Sequence, residues 1–183
     1  NRFATGNNTW DIWMIKTDMY GNEVWSNTYG PGTGKNVLQT ADGGYLISGT
    51  SLIKTDAYGN EEWRYDDLYS GYAIQTNDGG YALLYSIIAE QRIVLDKRNT
   101  DGSLNWSTTY SCSASTTFAS KLHKTSEGGF IICATTNQDT GFGLDAWIIK
   151  TDILGNIEWE HHYGGLYMDE AHDIQQTIDG GYI

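Results

Sequence analysis

The sequence predicts an all-β chain: a β-propeller built of four-stranded antiparallel blades, four repeats in all, with one blade split between the N- and C-termini. Three observations carry this reading. One phrase, Thr-x-Asp-Gly-Gly-aromatic, with Glu once in place of Asp, recurs at residues 40–45, 76–81, 125–130 and 177–182. A companion phrase, Ile-Lys-Thr-Asp-x-x-Gly-Asn, stands at 15–22, 53–60 and 149–156 and is altered at 96–103. Each copy is followed three residues later by a Trp: Trp25, Trp63, Trp106 and Trp159. Finally, the equivalent acids Asp42, Asp78, Glu127 and Asp179 are separated by 36, 49 and 52 residues, and counting from Asp179 through the joined ends to Asp42 gives 46. Self-similarity at this period sets the fold before any single residue does.

Each repeat divides into four strand-like pieces. In the second, strand a is expected at 71–76 and ends in the turn Asn77-Asp78-Gly79. Asp-Gly between apolar runs is a hairpin signal, because Gly takes positive φ without steric penalty. Strand b follows at 81–87 and strand c at 92–97. The turn Asn99-Thr100-Asp101-Gly102 then leads to strand d at 104–109. The turns opening at Asp18, Asp56 and Asp152 are the same device: an Asp side chain on a nearby N–H at the start, a Gly at the end. Strands b and c read as short unbroken apolar runs, such as Phe130-Ile131-Ile132-Cys133 and Ala146-Trp147-Ile148-Ile149, which suits burial on both faces. Strand d is more polar, as in Ser107-Thr108-Thr109, which suits an outer edge. The ends read in phase as well. Gly180-Gly181-Tyr182-Ile183 continued by Asn1-Arg2-Phe3 parallels the run from Gly128 onward, so strand b of the fourth blade is expected to be shared by tail and head.

Composition narrows the function classes. The chain has 183 residues, enough for one domain with a real core. Seven Trp and 13 Tyr fit small blades filled by flat side chains, and 22 Gly fit many tight turns. A net charge of −12 argues against nucleic acid or an anionic membrane as partner. No apolar run approaches the length of a membrane span. The chain opens at Asn1 inside a repeat, without an initiator Met or a signal peptide, as a processed chain or a piece of a longer one would. Cys112 and Cys133 allow one bridge, or a buried free thiol at Cys133. Asn7-Asn8-Thr9 and Asn105-Trp106-Ser107 fit the short N-glycosylation pattern.

The residues Asp11-Ile12-Trp13-Met14-Ile15-Lys16-Thr17-Asp18, Gly21-Asn22, Trp25, Thr28-Tyr29-Gly30 and Asp42-Gly43-Gly44-Tyr45 resemble the tandem repeats of secreted or surface-anchored β-propeller proteins of archaea and bacteria. The resemblance covers essentially the whole chain. It implies an extracellular or cell-surface setting, often within larger multi-domain chains. More distantly, Gly four residues before Trp (Gly21–Trp25, Gly59–Trp63, Gly102–Trp106, Gly155–Trp159) is similar to the tryptophan docking motif of quinoprotein propellers. The residue before the Gly departs from that motif, and vicinal cysteines are lacking. The likeness therefore implies shared packing, with Trp wedged between neighbouring blades, and no quinone cofactor.

Several residues are candidates for chemistry. Asp42, Asp78 and Asp179 read as turn residues. One carboxylate followed by two glycines offers calcium too few oxygens, although the acidic chain leaves room for calcium or another divalent cation. Lys16, Lys54 and Lys150 recur at the end of strand c and are expected at solvated strand ends, paired with carboxylates and worth about 0–1 kcal/mol each. His161, His162, Asp169 and His172 form the richest polar cluster and are a candidate metal site, at spacings that match no standard zinc pattern. The long b–c connections, at 6–11 and 136–145, vary in length on a constant scaffold, as binding loops do. There Asn7, Asn8, Trp10, Asp139, Phe142 and Asp145 are candidates for gripping a glycan by stacking and hydrogen bonds. No nucleophile elbow, phosphate loop or zinc-protease motif is present. The sequence thus reads as a non-enzymatic extracellular propeller for structure, self-assembly through the split blade, or ligand binding. The alternative is a polysaccharide-active hydrolase or lyase, or a lectin-like propeller.

Overall fold

The computed structural model describes residues 2–3, 10–66, 71–112, 116–137 and 143–183. Among these the chain is all-β, with one 3-10 turn at Ile88–Glu90 and no α-helix. It divides into two compact units, Asn1–Ala73 and Ile74–Ile183.

In the first unit, β1 (Arg2–Phe3), β2 (Trp10–Thr17) and β3 (Glu23–Tyr29) make a three-stranded antiparallel sheet. β4 (Gly34–Gln39), β5 (Tyr45–Gly49), β6 (Leu52–Thr55) and β7 (Glu61–Tyr65) make a four-stranded one in sequential order. The second unit holds two more four-stranded sheets. One is β8 (Tyr72–Gln75, beginning at the division), β9 (Tyr81–Ile87), β10 (Arg92–Arg98) and β11 (Leu104–Ser111). The other is β12 (Thr117–Lys124), β13 (Phe130–Thr136), β14 (Asp145–Thr151) and β15 (Ile157–Tyr163). A final hairpin bridges Gln176 to Tyr182, and Gln175 and Ile183 exchange two backbone bonds of 2.9 Å. The four strand pieces expected in the second repeat match β8 to β11 within a few residues.

The turns form for the reason the sequence gives. In the first complete sheet, Thr40 N–H donates to the Gly44 carbonyl at 2.9 Å and Gly43 N–H donates to the Thr40 carbonyl at 2.9 Å, with Gly43 at φ +86°. Asp42 locks the turn from inside: its Oδ1 accepts from Thr40 Oγ1 at 2.5 Å and from Gly44 N–H at 3.0 Å. The same set recurs at Asp78 and Asp179. In the companion turns Asp56 accepts the N–H groups of Tyr58 and Asn60, and Asp18 and Asp152 do the same in their repeats.

In the four-stranded sheets the two middle strands are buried or half-buried along both faces, as expected, whereas β2 of the three-stranded sheet is half-buried to exposed; the outer strands β11 and β15 stay polar and largely exposed, and β7 is exposed to half-buried. In the first unit Ile12, Tyr29, Ile47 and Ile53 pack together. In the second, Leu84, Leu95, Leu122, Phe130, Ile132 and Trp147 fill the space between the two sheets. Both cysteines are free, with Cys133 buried beside Ile131 and Ile174.

The head and tail depart from the seamless join read from the sequence. Continuing directly from Ile183 to Asn1, in the register of the complete sheets, would set Arg2 opposite Met14 and Phe3 opposite Trp13. Instead β1 pairs Arg2 with Asp11 and Phe3 with Trp10, three residues further along β2. Apolar residues on neighbouring rungs are interchangeable in composition, so similarity alone did not fix this phase.

Candidate functional site

One joint recurs inside both units, and it explains the best-marked residues. In the first unit, Trp25 on β3 reaches the turn of the next sheet. A Cβ on Gly59 would stand 2.9 Å from the Trp25 ring, so only Gly, at φ +81°, fits there. Four residues on, the buried Tyr29 hydroxyl donates to the Gly59 carbonyl at 2.6 Å. Trp25 also meets Tyr45 edge-to-face, with centroids 5.7 Å apart. The second unit repeats every part. Trp106 lies against Gly155, where a Cβ would approach to 2.8 Å, Tyr110 Oη donates to the Gly155 carbonyl at 2.7 Å, and Trp106 meets Phe130 at 6.3 Å. Burial pushes the Tyr110 phenol well above its ordinary range. Each joint therefore takes a Trp and a Tyr from the outer strand of one sheet, and a Gly turn and an aromatic from the next.

A second device works within each sheet. Lys54, expected to be solvated, is 2% exposed. Its ammonium lies 2.8 Å from Asp42 Oδ2 and 2.9 Å from Glu62 Oε2, and donates to the Thr55 carbonyl at 2.9 Å. Lys97 is likewise buried against Asp78 at 2.8 Å, and Lys150 pairs with Glu158. The pairing was legible in the sequence; the burial was not. The lysine tucks under the Asp-Gly-Gly turn because the second glycine leaves room: a Cβ on Gly44 would meet Lys54 Nζ at 2.7 Å and collide with the Thr55 carbonyl. The Lys54 ammonium and the Thr40 hydroxyl hold the Asp42 carboxyl down at about 2, and Lys97 with Thr76 does the same for Asp78.

Both ends of the chain carry half of these devices. On the head sheet, Ile15 is 43% exposed, whereas its counterparts Ile53 and Ile149 are wholly buried. Lys16 is exposed, and nothing stands within 4 Å of the place a Cβ on Gly21 would occupy. Val37 is exposed where its counterpart Leu122 is buried, and a cavity of about 280 Å³ opens between β2 and β4. On the tail, Trp159 already meets Tyr182 edge-to-face at 5.5 Å. Tyr163 is 57% exposed, where Tyr29 and Tyr110 are buried, and Ile183 is 85% exposed, where Leu46 and Ile131 are buried. A cavity of about 880 Å³ lies here, lined by Ile148, Trp159, His161, Tyr163, Tyr182 and Ile183 among others.

The sequence-predicted binding residues scatter. Asn7, Asn8, Asp139 and Phe142 lie outside the described residues. Trp10 opens β2, half exposed, and Asp145 opens β14, buried where a Cβ on Gly164 would strike its carboxylate. Asp145 is therefore turned into the fold and away from the loop face.

His161 and His162 point to opposite faces of β15, as successive strand residues must. His161 tilts onto Trp159, while His162 stacks flat on Trp147 at 5.6 Å, and burial lowers its pKa. Asp169 accepts the Gly165 N–H, and His172 stands 3.8 Å from Glu170. Among the described residues, no three metal-ligating side chains converge on one point, and no helix is long and apolar enough to cross a membrane. The tyrosines of the joint escaped sequence reading. Their signal is Trp-x-x-x-Tyr, present at Trp25, Trp106 and Trp159.

No protein-family model matches the chain, and no curated protein matches it in sequence. Among solved structures it is similar to a protein of unknown function from Bacteroides caccae, at 13% identity and a TM-score of 0.59. The match covers 88% of this chain and 56% of that one, so this chain spans little more than half of its neighbour's length. At that identity the likeness speaks for the fold alone.

Proposed function

We propose that this chain is a non-enzymatic β-propeller module of the extracellular or cell-surface space that works by assembly, its head and tail edges joining sheets to sheets. An array of blades running through several copies follows if the joint seen within each unit is repeated between copies. The observation that supports this reading is the joint repeated inside each unit, Tyr29 to Gly59 in the first and Tyr110 to Gly155 in the second. Ile15, Lys16 and Gly21 at the head and Tyr163, Asp179 and Ile183 at the tail are the residue types that their counterparts use to hold neighbouring strands and sheets together. The extracellular setting rests on the resemblance of the repeats. Sedimentation velocity over a wide range of protein concentration tests the reading, with concentration-dependent association expected. A particle that stays a single chain throughout removes it.

The aromatic lining of the tail cavity, Trp159, Tyr163 and Tyr182 with Glu170 and Asp173 at its border, favours a second reading: a carbohydrate-binding or polysaccharide-active propeller. A glycan array and a polysaccharide panel test it; binding or cleavage lost on Trp159→Ala would establish it over assembly.

A further inference from the structure

Between the two sheets of the second unit lies a cavity of about 280 Å³ with apolar walls and a charged rim. Trp106 of β11 and Phe130 of β13, in edge-to-face contact at 6.3 Å, form part of the wall. Ile153 and Leu154, from the turn after β14, complete it and are more than half exposed. At the rim, Lys97 and Lys124 stand against one carboxylate, Asp78. Two departures from the repeat meet at this rim. The residue before the turn Thr is Gln39, Gln75 and Gln176 in three repeats and Lys124 in this one. Gln39 and Gln75 fold back on their own hairpins, donating to the Gly43 and Gly79 carbonyls at 3.4 and 3.2 Å. The Lys124 ammonium instead crosses to the neighbouring sheet and donates to a neutral acceptor, Asn77 Oδ1, at 3.0 Å. The residue before the Trp is Glu62 or Glu158 in two repeats, and each pairs with the lysine of its own sheet. Here it is Asn105, whose amide donates to Asn99 Oδ1 at 3.0 Å. Lys97 thus holds Asp78 and the Arg98 carbonyl, with an amide where Lys54 and Lys150 meet a glutamate. One departure adds a positive charge and the other removes a negative one, at a single cavity in a chain of net charge −12. The hairpins do not require either, since the other repeats close the same turns without them.

We infer that this cavity binds a small organic carboxylate, its anion held by Lys124 and its apolar body by Trp106, Phe130, Ile153 and Leu154; the inference stands apart from the assembly reading. A carboxylate at Lys124 exchanges a neutral amide partner for a charge-assisted hydrogen bond. An apolar group beside it removes the Ile153 and Leu154 side chains from water, and the volume, at the small end of ligand cavities, suits a single ring or a short branched chain. The probe is phenylacetate, with phenylacetamide as its uncharged partner, titrated by NMR at the Ile153 and Leu154 methyls and the Trp106 indole N–H. The acid is expected to saturate these shifts with a Kd on the order of 1 mM, in keeping with its size, and the amide to bind about ten-fold more weakly. Lys124→Gln and Asn105→Glu each restore a residue that sister repeats carry, so both variants should keep the wild-type fold, which urea unfolding checks. Each is expected to weaken the acid about ten-fold and leave the amide unchanged. Leu154→Ala, at an exposed turn position, should weaken acid and amide alike, by about three-fold. Should one charge variant lose stability, the other and the comparison of acid with amide carry the test. Absence of saturable shifts at these groups, equal affinity for acid and amide, or an unchanged affinity for the acid in Lys124→Gln overturns the inference.

Discussion

Lys54 offers the sharpest test of the physical account, because a lysine at a strand end would ordinarily be dispensable. The substitution is Lys54→Met, which keeps the apolar stem and deletes the ammonium. Three acceptors lose their donor: Asp42, Glu62 and the Thr55 carbonyl. The carboxylates are 59% and 45% exposed and regain water, so each loss is discounted to about 0.5 kcal/mol or less. The Thr55 carbonyl, on a buried residue, loses one donor, at a cost of about 1.5 kcal/mol. Relief of the buried ammonium's desolvation offsets part of this, leaving a net loss of about 2 kcal/mol. Lys54→Ala adds the burial of the lost methylenes at about 0.8 kcal/mol each, and should lose about 4 kcal/mol. Native-state hydrogen exchange at the Gly44 amide, which donates to Asp42, reads the first unit directly. NMR titration of Asp42 gives an independent reading: its pKa, about 2 with the lysine present, should rise toward the ordinary value near 4 in the variant. A stability change below about 0.5 kcal/mol with an unmoved Asp42 pKa would refute the argument and return Lys54 to a solvated strand end.

Other outcomes follow from the same geometry. Tyr110→Phe should destabilise the second unit by about 1–2 kcal/mol, because the buried Gly155 carbonyl loses its donor, whereas Tyr163→Phe should leave stability unchanged; equal effects in urea unfolding would count against the joint. The Asp42 and Asp78 carboxyls are depressed to about 2 in the folded state, so their contribution is complete above the unfolded carboxyl value and is lost as pH falls from about 4 through about 2. The part of the melting-temperature profile due to this pair should therefore be flat above about pH 5, and a wild-type minus Lys54→Met difference that shrinks already at pH 6 would contradict it. Burial pushes the Cys133 thiol up to about 11, so iodoacetamide at mildly alkaline pH should leave it unlabelled until denaturant is added; prompt native labelling of Cys133 would show that its strand opens.

Much of this was legible in the sequence because local chemistry and fold agree. Asp-Gly-Gly and Asp-x-x-Gly-Asn each contain their own acceptor, donor and positive-φ residue, so the hairpins are decided within five or six residues and appear where expected. The Trp positions were legible as wedges for the same reason: a four-residue spacing from Gly repeats too regularly for a ligand. What was not legible depends on groups far apart in sequence. Lys54 looks like a surface residue until Asp42, twelve positions earlier, closes over it and Gly44 clears its path. Tyr110 acquires its partner 45 residues on, in another repeat's turn. The His161–His162 pair suggested a ligand set by proximity in sequence, but strand alternation sends the two rings to Trp159 and Trp147 on opposite faces.

The devices that build each sheet also present it to the next one, and that constrains function. The Gly59 turn closes a hairpin and seats Trp25; the Phe130 strand fills its own sheet and receives Trp106. An enzyme on this scaffold would add residues that break the repeat at one place. Here the departures near the tail, His161 and His162 where other repeats carry Asn27 and Thr28 or Thr108 and Thr109, fall on β15, and His161 lines the tail cavity. The net charge of −12 opposes indiscriminate contact between copies. It leaves attraction to the places where a lysine faces an acid at close range, as Lys54 faces Asp42 and Lys97 faces Asp78 inside their sheets.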